Sequence, residues 1–351
     1  MKKVLYIGWL GFQNIGDELL WNVFAASARQ YIPDVQIIPS TPKVNWKDTS
    51  PYDAVVLGGG SLLLPGYMAV LRQAHEAGKR VSIWGSGIDW VGREETDALR
   101  AGTRPALDHH FSTKDAELFR TVLASAAFAG IRGPLSEAVL DTLDARPPNI
   151  RVIGDPGLLL SSTMPAEHPN REKTIGINWG TTYNRLFGEH ETLVEDTLAR
   201  AAKMWIASGY RIYLYIVWPN DRVACERLYK KINCPERVAF DRTLYNEQQL
   251  IERLRTLTAT VNFKLHANLL SLAAGVPTVM LGYRFKVFDF AASLGLDRYV
   301  VSTASPQLET DLLETMNLAE KQRSCIMKQY EDARRQYAPL LLEPFQYGLF
   351  L

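Results

Sequence analysis

The fold is decided most clearly by residues 260–286, TVNFKLHANLLSLAAGVPTVMLGYRFK. A short apolar run at 260–262 is followed by a helical pattern that extends to about residue 274, and Gly275-Val276-Pro277 ends this pattern before a second apolar run at 278–281. A strand, a helix and another strand in this order form a βαβ unit with parallel strands. The stretch therefore predicts a parallel sheet flanked by helices.

The same alternation extends over the rest of the chain. Strands are predicted at 3–9, 35–39, 54–57, 80–84, 128–131, 152–153, 174–178, 211–217, 260–262, 278–281 and 298–300. Helical patterns lie between many of these runs, for example at 18–30, 67–77, 135–143, 193–208 and 247–257. Near-continuous apolar strands such as Ala54-Val55-Val56-Leu57 are typical of sheets that are buried on both faces. The predicted fold class is α/β.

The length of 351 residues predicts two domains, because domains typically contain about 100–200 residues. A turn-rich stretch at 161–173 precedes a new strand, so we expect an N-terminal Rossmann-like domain at 1–165 and a second one at 166–335. A helix is predicted over about 306–337. The apolar segment at 336–351 is expected to pack back on the body, with a dimer contact or a membrane-surface contact as the alternative.

The chain is nearly neutral, with 39 Lys and Arg residues, 38 Asp and Glu residues and a formal net charge of +1. This balance argues against nucleic acid as a partner, so any bound anion must be held by a local cluster of cations. The three cysteines form no CxxC motif, and no apolar stretch approaches the ~20 residues of a membrane span. We expect a cytoplasmic protein, with peripheral association at the inner face of the membrane left open.

The loop after the first predicted strand, residues 8–18, reads GWLGFQNIGDE. It lies where a Rossmann phosphate loop would lie, but its glycine spacing does not fit GxGxxG, and GxxxxGK[ST] does not occur in the chain. NAD and P-loop nucleotides are therefore disfavoured. Asn14 and Gly16 are predicted to face a ligand, and Asp17 either faces it or caps the following helix.

Two further glycine-containing loops follow strands. Gly58-Gly59-Gly60-Ser61 and Gly85-Ser86-Gly87 can bring backbone N–H groups close to a ligand, or they can simply form tight strand-to-helix turns. Trp9 and Trp179 lie near strand ends, where each can stack on a sugar ring or pack in the core. These loops follow the C-terminal ends of strands, which is where open α/β sheets bind ligands.

Cations are predicted at three helix starts. Arg132 precedes Gly133-Pro134 at a helix N-terminus, where the helix dipole disfavours a cation unless an anion is bound there; a surface or salt-bridging arginine is the alternative. Lys264 and His266 begin the helix of the βαβ unit, and Tyr283, Arg284 and Lys286 follow its second strand. The alternatives are that His266 packs in the core and that Lys286 is merely exposed to solvent. His75, His109 and His110 have no matching partners at metal spacing, so no metal site is predicted.

Taken in order, these motifs resemble the polysaccharide pyruvyl transferase family. The matching segments are GWLGFQNIGDELL, VVLGGGSLL, GIRGPLSEAVL, IGDPGLLL, IGINWG and KLHANLLSLAAGVPTVMLGYRFK, which together extend from residue 8 to residue 286. The resemblance implies two Rossmann-like domains that face a cleft, similar to GT-B glycosyltransferases. It also implies transfer of a pyruvyl group from phosphoenolpyruvate to two sugar hydroxyls, without a cofactor.

The resemblance also implies roles for individual residues. Arg132 corresponds to an anion-binding arginine, His266 to a catalytic histidine and Lys286 to the lysine after the last strand, whereas Lys264 stands where the family usually has arginine. The predicted donor-binding residues are Lys264, Arg284, Tyr283, Asn14, Gly16, Gly59, Gly60 and Ser61. The predicted acceptor-binding residues are Trp9, Asp17, Ser86 and Trp179.

Other functions stay open at this stage. A GT-B-like glycosyltransferase with a nucleotide-sugar donor is the main alternative, because the same helix starts can hold a diphosphate. A non-catalytic glycan-binding protein and an NAD-dependent epimerase are further alternatives, the latter disfavoured by the first loop. The sequence does not identify the acceptor sugar, whether that sugar is carried on a lipid, or whether the chain forms a homo-oligomer.

Overall fold

The computed structural model describes residues 2–160 and 172–351. Two six-stranded sheets are present, one in each half of the chain, and every strand pair within them is parallel. The predicted domain boundary at 165/166 lies outside the described residues, as does most of the turn-rich stretch at 161–173.

The first domain contains strands in the order β2-β1-β3-β4-β5-β6. Their bounds are β1 (Lys2–Ile7), β2 (Val35–Pro39), β3 (Ala54–Leu57), β4 (Arg80–Ser86), β5 (Phe128–Ile131) and β6 (Ile150–Val152). Its helices are α1 (Ile15–Tyr31), α2 (Pro65–Glu76), α3 (Arg93–Arg100), α4 (Thr113–Ser125) and α5 (Pro134–Thr142). All four residues of β3 are buried, as expected for a central strand that is covered on both faces.

The second domain contains strands in the order β12-β11-β10-β7-β8-β9. Its strands are β7 (Thr174–Asn178), β8 (Arg211–Tyr215), β9 (Val238–Asp241), β10 (Ala259–Asn262), β11 (Thr278–Gly282) and β12 (Val300–Ser302). Its helices are α6 (Glu191–Ala207), α7 (Arg222–Ile232), α8 (Glu247–Leu254), α9 (Leu265–Ala273), α10 (Phe285–Leu294), α11 (Leu308–Lys321) and α12 (Arg323–Gln346). The βαβ unit of the sequence analysis is β10-α9-β11.

The C-terminal helices differ from the single helix that was predicted. The helix breaks at Gln322, and α12 continues to Gln346 through Pro339 and Pro344. Proline removes a backbone donor from a helix, so a helix that continues through two prolines needs a compensating interaction. Packing on the first domain offsets this loss, because Trp84 Nε1 donates to the Leu341 carbonyl at 2.9 Å and the Phe345 ring lies 5.0 Å from Phe24.

Strand β9 was not predicted from the sequence. It is an edge strand of four residues, and only its first residue is buried, so its apolar pattern is weak. The segment that was expected to lie on the body also contains exposed residues, among them Tyr347, which is 74% exposed. Within the described chain, no helix is long and apolar enough to cross a membrane.

Candidate active site

Loops that follow the C-terminal ends of strands in both sheets enclose a cavity of about 440 Å³ between the two domains. This volume lies within the range of small-molecule sites. Most of the residues that the sequence singled out line it, namely Trp9, Asn14, Asp17, Gly60, Ser61, Arg132, Lys264, His266, Tyr283, Arg284 and Lys286.

The start of α1 forms one wall of the cavity. The Asn14 side chain accepts a hydrogen bond from the Gly16 N–H at 3.1 Å and is therefore the N-cap of this helix. Asp17 is left to face the cavity from the first turn. The Ile15 N–H donates to the Val217 carbonyl of the second domain at 3.1 Å, so this helix start is anchored across the cleft.

The glycine loop after β3 forms a second part of the wall. Gly60 has a φ of +109°, a conformation that favours glycine, and Ser61 follows it into the cavity. The Ser86 hydroxyl is fully buried and donates to the Gly58 carbonyl at 2.5 Å, while Gly59 packs against Leu20 and Pro156. Gly59 and Ser86 therefore support this loop from behind, and the structure does not place them at the ligand.

Arg132 is only 1% exposed and lies between the two domains. Its guanidinium is 3.5 Å from the Ser61 hydroxyl and 3.4 Å from the Ile88 carbonyl. Nε of Arg132 lies 3.8 Å from the carboxylate of Asp289, which belongs to α10 of the second domain. The structure thus keeps the predicted cation at the cavity and gives it a buried counter-charge.

A bound substrate anion was expected at the N-terminus of α5. The structure instead places a carboxylate of the protein there. The Asp289 carboxylate accepts hydrogen bonds there from the Leu135 N–H at 2.9 Å, the Ser136 N–H at 3.0 Å and the Ser136 hydroxyl at 2.7 Å. Gly133 makes this approach sterically feasible, because a Cβ at this position would lie 2.2 Å from Oδ1 of Asp289. Arg132 lies beside the positive end of the α5 dipole, and the anion that offsets both charges is the protein's own Asp289.

Two buried asparagines fix the turn that begins α9. Asn178 Oδ1 accepts from the Lys264 N–H at 3.0 Å, and Asn262 Nδ2 donates to the Ala267 carbonyl at 3.1 Å. As a result, Lys264 is the N-cap of α9 and His266 lies in its first turn. Satisfied buried amides of this kind hold a site rigidly.

His266 lies against the first domain. Its Nε2 is 3.6 Å from Oδ2 of Asp155, and a Cβ at Gly16 would lie 2.0 Å from its Nδ1. The Asp155 carboxylate also accepts a hydrogen bond from the Gly157 N–H at 2.9 Å. Burial raises the pKa of Asp155, but the nearby charge of His266, the charge of Arg132 and the hydrogen bond from the Gly157 N–H outweigh burial and keep that pKa below its ordinary value.

The Lys264 side chain contacts residues of its own domain. Its Nζ donates to the Thr181 carbonyl at 2.6 Å, lies 3.3 Å from the Asp221 carboxylate and lies 5.2 Å from the centre of the Trp218 ring. Burial raises the pKa of Asp221 although Lys264 lowers it. Lys264 thus contributes its charge to the cavity edge from a fixed position.

Arg284 and Lys286 enter the cavity from the start of α10. Both contact the buried carboxylate of Asp89 in the first domain, with Lys286 Nζ at 3.6 Å from Oδ2. The Arg284 guanidinium stacks 4.5 Å from the Trp90 ring, and Lys286 lies 5.4 Å from the ring of Tyr283. Burial lowers the pKa of Arg284 to about 10; burial and then the charge of Arg284 hold the pKa of Lys286 well below its ordinary value.

Asp17 is the titratable carboxyl of the opposite wall. Burial raises its pKa to about 6, although His266 and Lys286 lower it. A carboxyl with this pKa can give or take a proton near neutral pH. The cavity therefore places the Asp17 carboxyl and the His266 imidazole beside several cations.

Three helix N-termini, those of α1, α9 and α10, meet at the cavity, since their N-caps all line it. Helix N-termini and buried guanidinium groups together favour small anions. Within residues 2–160 and 172–351, nothing accepts a hydrogen bond from the buried Nε of Arg132 or of Arg284. The arrangement can hold a small multiply charged anion beside groups that exchange protons.

Trp179 is not brought to the cavity. Its ring is fully buried, packs 4.7 Å from Phe263 and donates from Nε1 to Glu195 at 3.0 Å. The acceptor contact that was expected for this residue is therefore not supported by its position. Trp179 continues the buried side of β7, whereas Trp9 lies in a loop that reaches the cavity.

Sequence reasoning predicted Asp17 but missed three other carboxylates and one cation. Asp155 stands in the IGDP motif, and Asp89 and Asp289 each lie between apolar residues, which is an unusual setting for a charge. Arg185 lines the cavity from the loop after β7, and no signal in the sequence pointed to it.

His109 and His110, for which the sequence showed no partner at metal spacing, lie beside an acidic side chain in the fold. Glu95 lies 2.9 Å from His109 and 3.8 Å from His110, and these three side chains form a group that could hold a metal ion. The group is outside the cavity. Its third member comes from α3, and sequence spacing does not show this proximity.

Comparisons with known proteins agree with this architecture. A sequence model described as polysaccharide pyruvyl transferase matches residues 14–284, whereas no curated protein matches the chain. The co-structure of S. aureus MnaA with UDP superimposes with a TM-score of 0.65 at 9% identity, covering 99% of this chain and 97% of that one. Anabaena Alr3699/HepE in complex with UDP gives 0.58 at 11% identity, covering 99% of both chains. At these identities the likeness shows the fold alone, and the predicted α/β fold with two Rossmann-like domains facing a cleft is confirmed.

Proposed function

Because this chain belongs to the polysaccharide pyruvyl transferase family, we propose that it transfers a pyruvyl group from phosphoenolpyruvate to two hydroxyls of a sugar. The sugar belongs to a cell-surface glycan or its lipid-linked precursor, and the products are a pyruvate ketal and inorganic phosphate. One observation carries this proposal: cations from both domains and two proton-transfer groups line one cavity of about 440 Å³.

The donor carries a phosphate and a carboxylate, so it needs cations at two places. Arg132 supplies one from the first domain, and Arg284 with Lys286 supplies the other from the second domain. The buried Nε groups of Arg132 and Arg284, which make no hydrogen bond within the described chain, are donors of the kind that an anionic oxygen satisfies. The positive ends of α9 and α10 add to the same field.

The chemistry requires a proton on the methylene carbon C3 of the donor. In the proposed mechanism His266 delivers this proton, which makes C2 electrophilic. One sugar hydroxyl forms a bond to C2, the bond from C2 to the phosphate oxygen breaks, and the neighbouring hydroxyl closes the ketal. One hydroxyl proton replaces the proton given by His266 and the other leaves with phosphate, so atoms and charges balance. Arg284 and Lys286 stabilise the departing phosphate.

The acceptor side of the cavity is assigned to Trp9 and Asp17. Trp9 lines the cavity and stacks on Phe12, whose ring centre is 4.7 Å away. An aromatic face can carry the C–H face of a sugar ring. Asp17 lies where it can accept a hydroxyl proton, and its pKa of about 6 suits this role.

The test is a phosphate-release screen with phosphoenolpyruvate and a panel of nitrophenyl and lipid-linked glycosides. The expected product shows a new ketal methyl group by NMR, formed in equal amount to phosphate. His266→Gln should lower turnover by about 10²–10⁴-fold, and Arg132→Gln should lower it as well. Because each substitution removes one partner of a pair between the domains, both variants should also lose stability and are assayed at a temperature at which circular dichroism shows them folded. A matched control is Asp332→Asn, a half-exposed carboxylate on α12 that pairs with Lys328.

Turnover that occurs only with a nucleotide sugar would replace this proposal by glycosyl transfer. Glycan binding that survives His266→Gln and Arg132→Gln, with no turnover of phosphoenolpyruvate by any variant, would replace it by a non-catalytic binding function.

A further inference from the structure

A carboxylate of the protein already faces the cations that an anionic ligand would need. Asp89 lies in the loop after β4 and is 2% exposed. It contacts the Arg284 guanidinium and lies 3.6 Å from Nζ of Lys286. Asp89 belongs to the first domain and both cations belong to the second, so a single buried anion faces two cations across the cleft.

Asp89 is held differently from the other buried carboxylates of the site. Asp289 accepts hydrogen bonds from two N–H groups and a hydroxyl, and Asp155 accepts one from the Gly157 N–H. No backbone N–H or hydroxyl of the described chain donates to Asp89, and its Oδ2 instead contacts the side chains of Arg284 and Lys286. A buried carboxylate without such donors is costly to keep in place, so charge attraction is what holds Asp89, and a competing anion can displace it.

Arg284 has a second contact that does not depend on the Asp89 charge. Its guanidinium lies 4.5 Å from the centre of the Trp90 ring, which is 43% exposed at the edge of the cavity. A guanidinium stacked on an indole keeps its orientation when its counter-ion changes. The cation can therefore pass from Asp89 to a ligand without losing its position.

We propose that Asp89 is an internal competing anion that sets the affinity of the Arg284–Lys286 pair for phosphate-type ligands. The identity of these ligands rests on the proposed function. An anion can bind only to molecules in which Asp89 has left the two cations. The apparent affinity of each anion is therefore its intrinsic affinity multiplied by the fraction of such molecules. Phosphoenolpyruvate offsets this loss through its second anionic group at Arg132, whereas the product phosphate has no second group. Asp89 thus favours release of phosphate, and it is a specificity-determining residue.

The test measures binding of inorganic phosphate by isothermal titration calorimetry, which needs neither the donor nor an acceptor. Asp89→Asn keeps the shape and removes the charge, and it should tighten phosphate binding by at least about tenfold, since couplings between adjacent buried charges are at least this large. Asp89→Glu keeps the charge and should bind phosphate about as weakly as the wild type. The control is Asp97→Asn, whose side chain is 57% exposed on α3 and pairs with Arg100.

Unchanged or weaker phosphate binding by a folded Asp89→Asn variant would overturn the inference, because a purely structural carboxylate predicts that result. If that variant does not fold, Asp89→Ser provides the same comparison. The two proposals fail separately. Tighter phosphate binding without turnover of phosphoenolpyruvate supports Asp89 as the competing anion and removes the proposed function. If the wild type turns over phosphoenolpyruvate but Asp89→Asn does not bind phosphate more tightly, the inference about Asp89 is wrong and the proposed function stands.

Discussion

The buried carboxylate of Asp289 allows the closest test of how the two domains are joined. It is fully buried, accepts three hydrogen bonds from the start of α5 and lies 3.8 Å from Arg132. Asp289→Ala removes the acceptor and leaves two N–H groups, a hydroxyl and a buried guanidinium without it. Removing one partner of a buried, hydrogen-bonded ion pair costs about 3–5 kcal/mol, and we expect that loss here.

Asp289→Asn should be much milder. Burial raises the pKa of Asp289 although Arg132 and the hydrogen bonds with Ser136 and Leu135 lower it, which means that the buried charge carries a net cost. The amide keeps an oxygen for the N–H groups of α5 and gives up that charge. We therefore expect Asp289→Asn to lose only about 1 kcal/mol of stability, the net value of an ordinary hydrogen bond.

Denaturant unfolding followed by circular dichroism and by tryptophan fluorescence measures both variants against the wild type. For Asp289→Ala we also expect a melting temperature lower by roughly 6 °C or more, at about 2–4 °C per kcal/mol for a domain of this size. Asp332→Ala, on the surface of α12, should stay within about 0.5 kcal/mol. Equal losses for the Ala and Asn variants, or a loss below about 1 kcal/mol for Ala, would refute the reasoning.

Three further predictions concern the cavity. His266→Gln should lower turnover by about 10²–10⁴-fold, the usual contribution of a general acid or base, at unchanged donor affinity; near-wild-type turnover would exclude the proposed role. The pKa of Asp17 is raised to about 6, so ionisation destabilises the folded wild type as pH rises from 4 to 6, and Asp17→Asn should be more stable by about 2–3 kcal/mol at pH 8 but not at pH 4. A stability difference that does not change with pH would contradict that assignment. In Gly16→Ala, a Cβ would lie 2.0 Å from Nδ1 of His266, so turnover should fall by about 100-fold through misplacement of the imidazole, whereas Gly66→Ala, whose Cβ would meet nothing within 4 Å, should leave turnover unchanged.

Sequence patterns place most of the cations of the second domain well, because each of these residues follows directly on a strand and begins a helix. Lys264 and His266 follow a strand and start a helix, and so do Arg284 and Lys286, so strand and helix periodicity suffices to bring all four to one sheet edge. The glycine loop at Gly60 is local in the same sense. No partner from elsewhere in the chain is needed to place these backbone positions.

The features that sequence patterns did not predict depend on contacts between distant segments. Asp289 lies 157 positions after Arg132, and nothing local pairs them; only the position of Asp289 between Phe288 and Phe290 on a buried helix was a signal. The predicted acceptor contact of Trp179 is not supported for another reason. A strand-end tryptophan can point to either side, and tertiary packing against Phe263 decides the side.

The buried carboxylates explain why a nearly neutral chain can hold an anion site. Arg132 pairs with Asp289, His266 with Asp155, and Arg284 with Asp89, and in each pair one member comes from each domain. A cation of the second domain that faced the cavity without its counter-charge would be buried and unpaired, which costs several kcal/mol. Closure of the domains and assembly of the site are therefore one event. A substitution that weakens any of these pairs should affect both stability and turnover, whereas loss of the Lys264–Asp221 pair, which lies within one domain, should affect the site without loosening the interface.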